Sequence, residues 1–450
     1  MVTGARPFTH SEPGTAESRW RERPEWADLE HADALLSGRG RLVVVAAHPD
    51  DETLAAGGLL ALAARAGLEV TVVLLTDGEA SHPDSPTLSR CDLAVLRVEE
   101  SRAALARLAP SATIERLGLP DGRLADHIGE AVTGLVDVVG ERGGDTVVVA
   151  PWRHDGHADH DAAGWAAGVA CGRTDAVLWE YPLWLWHWCE PARAPWSDLH
   201  ALALDIDVLA AKQEAVALHR TQVAPVSNGR GDEAVLHENM LAHFARPFET
   251  FLRLDLPNDD SLDELHDSSS DPWQVRTSWY EQRKRAVTLA ALPHERYSRG
   301  VEVGGSVGAL AETIATRCDR LVVVDESEAA IAAARSSLRG LDHVDVVRAS
   351  VPEDWPAGLF DLVVVSELGY FLSPARLRRL VSRVDTSLTD DGAVVLCHWR
   401  HPVRGWPLDG PRVHELWTGS SALPVVATHL EADFRLDVLS RSTAHRAGSP

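Results

Sequence analysis

RLVVVAAHPDDE (41–52) and DTVVVAPWRHDGHADHDAAG (145–164) each run a β-branched apolar stretch directly into a loop of His and Asp. Short apolar runs bounded by polar turns read as strands buried on both faces. After the first comes an apolar helical stretch, GGLLALAARAG (57–67), then a second strand candidate, EVTVVLLT (69–76), then a long helical stretch, DLAVLRVEESRAALARLA (92–109). DAVLWEYP (175–182) reads as a later strand and VLAAKQEAVALHRTQ (208–222) as a later helix. Strands that alternate with helices predict a mainly parallel sheet covered on both faces.

The alternation stops at LPNDDSLDELHDSSSDPW (256–273), which mixes acids, Ser and Pro without sustained periodicity and reads as a linker. It then restarts. WYEQRKRAVTLAAL (279–292) is a helix, VEVGG (301–305) a strand entering a Gly-rich turn, and VVVDES (322–327), DLVVVSEL (361–368) and AVVLCHW (393–399) are further strands. The expected fold class is α/β, with two Rossmann-like domains in series. The expected boundaries are a polar, loosely docked N-terminal extension at 1–40, a first domain at 41–255, the linker at 256–273 and a second domain at 274–450. A length of 450 residues suits two domains, each able to bury its own core.

Composition removes some partners. With 67 Asp and Glu against 43 Lys and Arg, the formal charge is −24. Such a surface repels phosphate backbones and anionic lipid, so neither nucleic acid nor membrane is an expected partner. Five scattered cysteines without a CxxC pair argue against a disulfide framework and fit a reducing, cytoplasmic compartment. The N-terminal stretch has no apolar segment of the secretory type. The Trp cluster in LWEYPLWLWHW (178–188) is read as core packing, with a wall for a flat ligand as the alternative.

Both His/Asp loops follow strands, and in open α/β sheets ligands bind beyond the carboxyl ends of strands. Crowded carboxylates and imidazoles there require compensation by a cation or by hydrogen bonds. Two His and a carboxylate suit zinc and equally a non-haem iron, and spacing alone does not choose. AHPDDE (47–52) followed by HADHDAAG (157–164) resembles the PIG-L (LmbE-like) deacetylase superfamily, together with LTDGE (75–79), RVEE (97–100), LGLPDG (117–122) and HRTQ (219–222). That resemblance implies Zn²⁺ held by His48, Asp51 and His160, with Asp50 as general base. It also implies His157, protonated, as the imidazole that stabilises the oxyanion, and Asp159 as its orienting partner. Asp155 stands where the mycothiol-pathway members carry a Tyr. Arg97, Asp121 and Arg153 are weaker candidates for substrate contact, with surface pairing or turn formation as the plain reading.

In the second half, Gly304, Gly305, Ser306 and Gly308 let backbone approach a ligand closely between a strand and a helix. Asp325, ending the next strand, can bond a ribose diol, so nucleotide-like ligands are plausible, NAD among them. The order of WYEQRKRAVTLAALPHERY, VEVGGSVG, VVVDES, FDLVVVSELGYF and CHWRHP resembles NodS-like class I methyltransferases. The resemblance implies S-adenosyl-L-methionine cradled by Gly304, Ser306 and Gly308, with Glu302 orienting the loop, Asp325 on the ribose and Glu367 near the transferred methyl. Tyr370 and His398 are weaker candidates for assisting deprotonation of the acceptor. The combined expectation is a bifunctional enzyme that deacetylates an amino-sugar-type small molecule and methylates, in the leading reading, the freed amine. The alternative keeps the deacetylase and gives the second domain an unrelated acceptor or cofactor binding alone.

Overall fold

The computed structural model describes residues 12–268, 271 and 273–441, with side chains described outside 266–268. The first eleven residues of the expected extension, residues 269, 270 and 272 of the expected linker, and residues 442–450 of the expected second domain lie outside the described residues. The chain divides into two compact units, Met1–Pro257 and Asn258–Pro450. Part of the stretch expected as an irregular linker forms a helix, Ser261–Ser268.

The first unit is an eight-stranded sheet built from β1 (Glu30–His31), β2 (Arg41–Ala46), β3 (Glu69–Thr76), β4 (Thr113–Leu119), β5 (Thr146–Pro151), β6 (Val177–Tyr181), β7 (Leu199–Ala203) and β8 (Phe248–Leu252). Their order is β1-β7-β8-β6-β5-β2-β3-β4, and only β8 runs antiparallel to its neighbours. Every residue of β2 and of β5 is buried, as their unbroken apolar runs require. The helix Asp51–Arg65 follows β2 and the helix Ala158–Thr174 follows β5. Strand order reverses between β2 and β5, so their carboxyl ends open onto a shared crevice. Both His/Asp loops sit there.

Among residues 12–40 of the N-terminal extension, Glu17, Trp20, Ala32 and Leu35 are buried, so part of it packs against the first unit. Trp20 is fully buried, edge-on to Trp186 at 4.9 Å, and its indole N–H donates to the Trp186 carbonyl at 2.9 Å. Glu17 accepts from Arg246 Nη2 at 2.6 Å and pairs with His243 Nδ1 at 2.6 Å. The Arg246 guanidinium lies 4.4 Å over the Trp186 ring. The extension is polar on average, but one buried Trp and one paired acid dock it. They also account for part of the Trp cluster: Trp179 and Trp186 are core residues, as the packing reading expects.

The second unit has seven strands: β9 (Gly300–Val303), β10 (Leu321–Asp325), β11 (Val344–Arg348), β12 (Phe360–Ser366), β13 (Leu388–Trp399), β14 (Val425–Leu430) and β15 (Phe434–Ser440). The order is β11-β10-β9-β12-β13-β15-β14, parallel except for β15, which is antiparallel to both neighbours. Here the order reverses between β9 and β12. Both sheets are mainly parallel and flanked by helices, as the alternation predicts. Among the described residues, no helix is long and apolar enough to cross a membrane.

Candidate metal centre and cofactor loop

In the first unit the two loops converge. His48, Asp51 and His160 offer ligand atoms all within 4.8 Å of one another, and His48, His157 and Asp159 form an overlapping group. Asp51 opens the helix after β2, and one of its oxygens accepts the His48 amide at 2.9 Å. Its other oxygen lies 3.3 Å from His160 Nε2.

His160 is fully buried and its tautomer is fixed. Its Nδ1 meets Asp155 Oδ2 at 2.8 Å. Asp155 in turn accepts the amides of Leu183, Trp184 and Leu185 at 2.9–3.0 Å, so it is a rigid carboxylate acceptor. A proton on Nδ1 leaves Nε2 as a lone pair facing the Asp51 carboxylate, and Nε2 has no hydrogen-bond partner. Two acceptors at that distance need a positive charge between them. Burial disfavours the imidazolium, but the charges of Asp51 and Asp155 push His160 well above its usual range. A divalent cation meets the same demand, and the donor set of two imidazoles and one carboxylate fits zinc.

Around this centre, His48 Nε2 lies 3.0 Å from Asp159 Oδ2 and 3.1 Å from Asp121 Oδ1. Burial opposes its charged form, yet these carboxylates push His48 up to about 9. Asp50 sits at φ 125°, a region costly for a non-glycine residue. Arg97 Nη2 donates to Asp50 Oδ1 at 3.1 Å and to the Pro49 carbonyl at 2.7 Å, which holds that turn. Burial pushes the Asp50 carboxyl up to about 7, against the pull of Arg97. Arg97 and Asp121 are therefore part of the centre, whereas Arg153 is turned to Glu180 at 2.8 Å and to the Asp255 carbonyl at 3.2 Å.

The geometry around Asp159 and His157 differs from the expected pairing. Asp159 does not hydrogen-bond His157; its carboxylate takes His48 and the amides of Gly122 and Leu124 at 2.7 and 3.0 Å. His157 Nδ1 is buried without a hydrogen-bond partner, and the ring lies near-parallel to Trp184 at 6.2 Å. Burial, then the neighbouring His160 and His48 charges, push His157 down to about 3. The spacing HxDH carries no information on which imidazole the intervening Asp meets. Asp155, the other residue that matters here, was visible only as a departure from the Tyr of similar enzymes.

In the second unit, the turn after β9 adopts positive φ at Gly304 (80°), Ser306 (43°) and Gly308 (80°). Asp325, at the end of β10, accepts the Ser306 amide at 2.8 Å and the Ser327 amide at 3.0 Å. The acid expected to meet a ribose thus also braces the loop, and a carboxylate has lone pairs for both tasks. Glu302, expected to orient the loop, instead has Oε2 buried with no hydrogen-bond partner; burial, then Asp325, push its carboxyl well above the usual range. Glu367 sits at φ 56° and accepts from Lys284 Nζ at 2.6 Å, the Trp399 amide at 3.1 Å and the Tyr370 hydroxyl. Nothing in the spacing of WYEQRKRAV flags Lys284, which is buried between Glu281 and Glu367.

Fold and sites together define a two-unit α/β chain of deacetylase and methyltransferase type. The family model GlcNAc-PI de-N-acetylase (PIG-L) matches residues 43–171, and Nodulation protein S (NodS) matches residues 258–407. The chain is 32% identical over 152 residues to the uncharacterized deacetylase YaiS of Escherichia coli, covering 32% of this chain and 77% of that protein. It is 32% identical over 130 residues to Nodulation protein S of Sinorhizobium fredii, covering 28% of this chain and 60% of that protein, so the chain spans less than two thirds of that relative. Among solved structures, N-methyltransferase NodS from Bradyrhizobium japonicum with S-adenosyl-L-homocysteine is 26% identical over 40% of this chain and 96% of that one, with a TM-score of 0.37. The chain belongs to the PIG-L deacetylase family through its N-terminal unit and carries a NodS-type methyltransferase domain in its C-terminal unit.

Proposed function

We propose that the N-terminal unit hydrolyses the N-acetyl group of an amino-sugar-type metabolite with zinc, and that the C-terminal unit methylates the freed amine with S-adenosyl-L-methionine. The observation that carries the first half is the His160 lone pair facing the Asp51 carboxylate at 3.3 Å. His48, Asp51 and His160 are the zinc ligands in this reading. Zinc supplies an acidified water and a polarised amide carbonyl. Asp50, held by Arg97 and with a carboxyl near neutrality, takes the water proton and passes it to the departing amine. His157 donates a hydrogen bond to the oxyanion from its ring N–H.

For methyl transfer, the Gly304–Gly308 loop and Asp325 hold the cofactor, which supplies the sulfonium methyl. The protein's part is alignment of acceptor and methyl. The freed amine is a logical acceptor because the first reaction produces it and the NodS-like domain is joined to the deacetylase in one chain. The test uses the full chain with an N-acetylglucosamine-containing substrate, with and without S-adenosyl-L-methionine, followed by mass spectrometry. Loss of one acetyl and then gain of one methyl on the same molecule is expected. Deacetylated product that never gains a methyl, under conditions where the cofactor binds, overturns the sequential reading.

A further inference from the structure

A buried polar string in the C-terminal unit runs beneath the Glu367 turn. The Gly369 amide donates to His398 Nε2 at 3.1 Å. His398 Nδ1 lies 3.2 Å from His414 Nε2, and His414 Nδ1 lies 2.7 Å from Asp437 Oδ2. His398, His414 and Asp437 are all fully buried. They come from β13, from the helix Gly410–Ser420 and from β15 respectively.

A backbone N–H can only donate, so His398 Nε2 must be a lone pair and its proton must sit on Nδ1. That proton goes to His414 Nε2, which forces the His414 proton onto Nδ1, toward Asp437. Both tautomers follow from one amide and one carboxylate. Charge agrees with this: burial, then His414, push His398 well below its usual range, and burial outweighs Asp437 in lowering His414. Asp437 resists burial through His414 and Thr428 and stays ionised, with its carboxyl at about 2.

The string ends where the cofactor loop rests. A side chain at Gly369 would meet Val413 Cγ1 at 2.4 Å and His398 Nε2 at 3.0 Å, so only glycine brings this amide onto the imidazole. The same turn supports the loop: a Cβ at Gly304 would meet Leu368 Cβ at 3.1 Å and the Ser366 carbonyl at 3.4 Å. Glu367, between them, is held at positive φ. Positive φ at a non-glycine residue persists only where the surroundings over-determine it.

We propose that His398, His414 and Asp437 are positioning residues for methyl transfer, which fix the 366–370 turn through the Gly369 amide and thereby set Glu367 and the cofactor loop. This rests on the methyltransferase reading of the C-terminal unit. The string carries no proton to the reaction, because its upper end is a backbone amide.

The decisive variant is His398→Leu in the full chain. Asp437→Asn is the control: Asp437 Oδ2 also pairs with Arg435 Nη2 at 2.9 Å and Oδ1 accepts from Thr428 at 2.7 Å, so an Asn carbonyl oxygen keeps His414 and Arg435 while its amide turns to the Thr428 hydroxyl. H398L removes the acceptor, and H398Q restores one. Methyl transfer to glucosamine is followed with S-adenosyl-L-methionine affinity by calorimetry and Gly369 amide exchange by NMR. H398L is expected to lose about a hundredfold in kcat, with cofactor affinity little changed, rapid Gly369 exchange and recovery in H398Q, while D437N stays near wild type. Wild-type kcat in H398L overturns the proposal. So does a Gly369 amide equally protected in wild type and H398L, whether or not methyl transfer is seen. Wild-type protein that binds the cofactor, protects Gly369 and methylates nothing fails the methyltransferase reading instead, and then equal cofactor affinity in all variants with unequal Gly369 protection still upholds the fixing of the turn.

Discussion

In the N-terminal unit Asp155 grips His160 by Nδ1 and leaves Nε2 facing a carboxylate; in the C-terminal unit Asp437 grips His414, which grips His398, and the last Nε2 receives an amide proton. Each begins with an anchored Asp that fixes an imidazole tautomer. They differ at the open end. His398 is satisfied within the protein, so its string is a brace. His160 meets a second acceptor, and that mismatch is a demand for a cation. A third buried array, Glu17 with His243 and Arg246, is closed by a guanidinium and serves docking alone. What terminates a buried imidazole–carboxylate array, more than its presence, separates chemistry from architecture.

The largest effect expected at the open array is catalytic. Asp50→Asn keeps the three ligand side chains and removes the proton acceptor, and deacetylation should fall by roughly 10²–10⁴-fold in kcat. Zinc content measured by elemental analysis should stay at the wild-type level. Loss of zinc together with activity would show that Asp50 holds the metal and would break the division of labour between Asp50 and Asp51. In the same assay, His160→Ala should lose the metal itself.

The closed array at Glu17 should affect stability without chemistry. Glu17→Gln leaves Arg246 buried without its anion, which costs about 3–5 kcal/mol when a buried pair loses one partner. Chemical denaturation should report this on the N-terminal unit, with deacetylase activity retained below the transition. Burial resists ionisation of Glu17, but His243 and Arg246 hold its carboxyl down at about 2, against an ordinary 4.5. Its contribution is therefore fully present above about 4.5 and is lost as pH falls through about 2. A Glu17→Gln variant should show a weaker acid dependence across that window; an unchanged acid limb would assign the docking to Trp20, Leu35 and the β1–β7 pairing.

Asp155→Asn probes the anchor of the open array. The amide can donate to His160 Nδ1 and drive the proton onto Nε2, where the lone pair is needed. Outer-shell changes of this kind cost about 10–100-fold in metal affinity. Competition with a chelator should read the loss directly, and affinity equal to wild type would mean that the metal selects the tautomer without help.

The comparison also explains what was legible beforehand. β2 and β5 announce themselves as unbroken apolar runs because both faces are covered, and the loops that follow them stand at the switch point by topology. The convergence of His48, Asp51 and His160 was therefore expected from residue types at strand ends, and their choice as ligands from family resemblance. β4 and β14 were missed because they are edge strands with mostly exposed residues and no apolar run. The docking of residues 12–40 was missed because Trp20 and Glu17 act singly, and single residues leave no period. The His398 string was hidden for a related reason: its members lie on three elements, and only tertiary packing brings them into line. The partner of Asp159 was also unreadable, since adjacency to His157 in sequence does not fix which ring a side chain meets.

The smallest expected effect concerns Ser306, the non-glycine residue among the three positive-φ positions of the Gly304–Gly308 turn. It stands at φ 43°, and its hydroxyl is buried with no hydrogen-bond partner. Both features oppose Ser here: a side chain at positive φ costs about 1–2 kcal/mol, and an unsatisfied hydroxyl adds to that. Ser306→Gly removes both while giving back about 0.5–1 kcal/mol of chain entropy to the unfolded state. The net should be a gain of about 1 kcal/mol in stability of the C-terminal unit, read by denaturation. The Ser306 amide that Asp325 holds is retained in glycine, so cofactor affinity should rise slightly or stay level. If affinity instead falls, the Ser306 hydroxyl contacts the cofactor, and the loop uses a side chain as well as backbone to hold it.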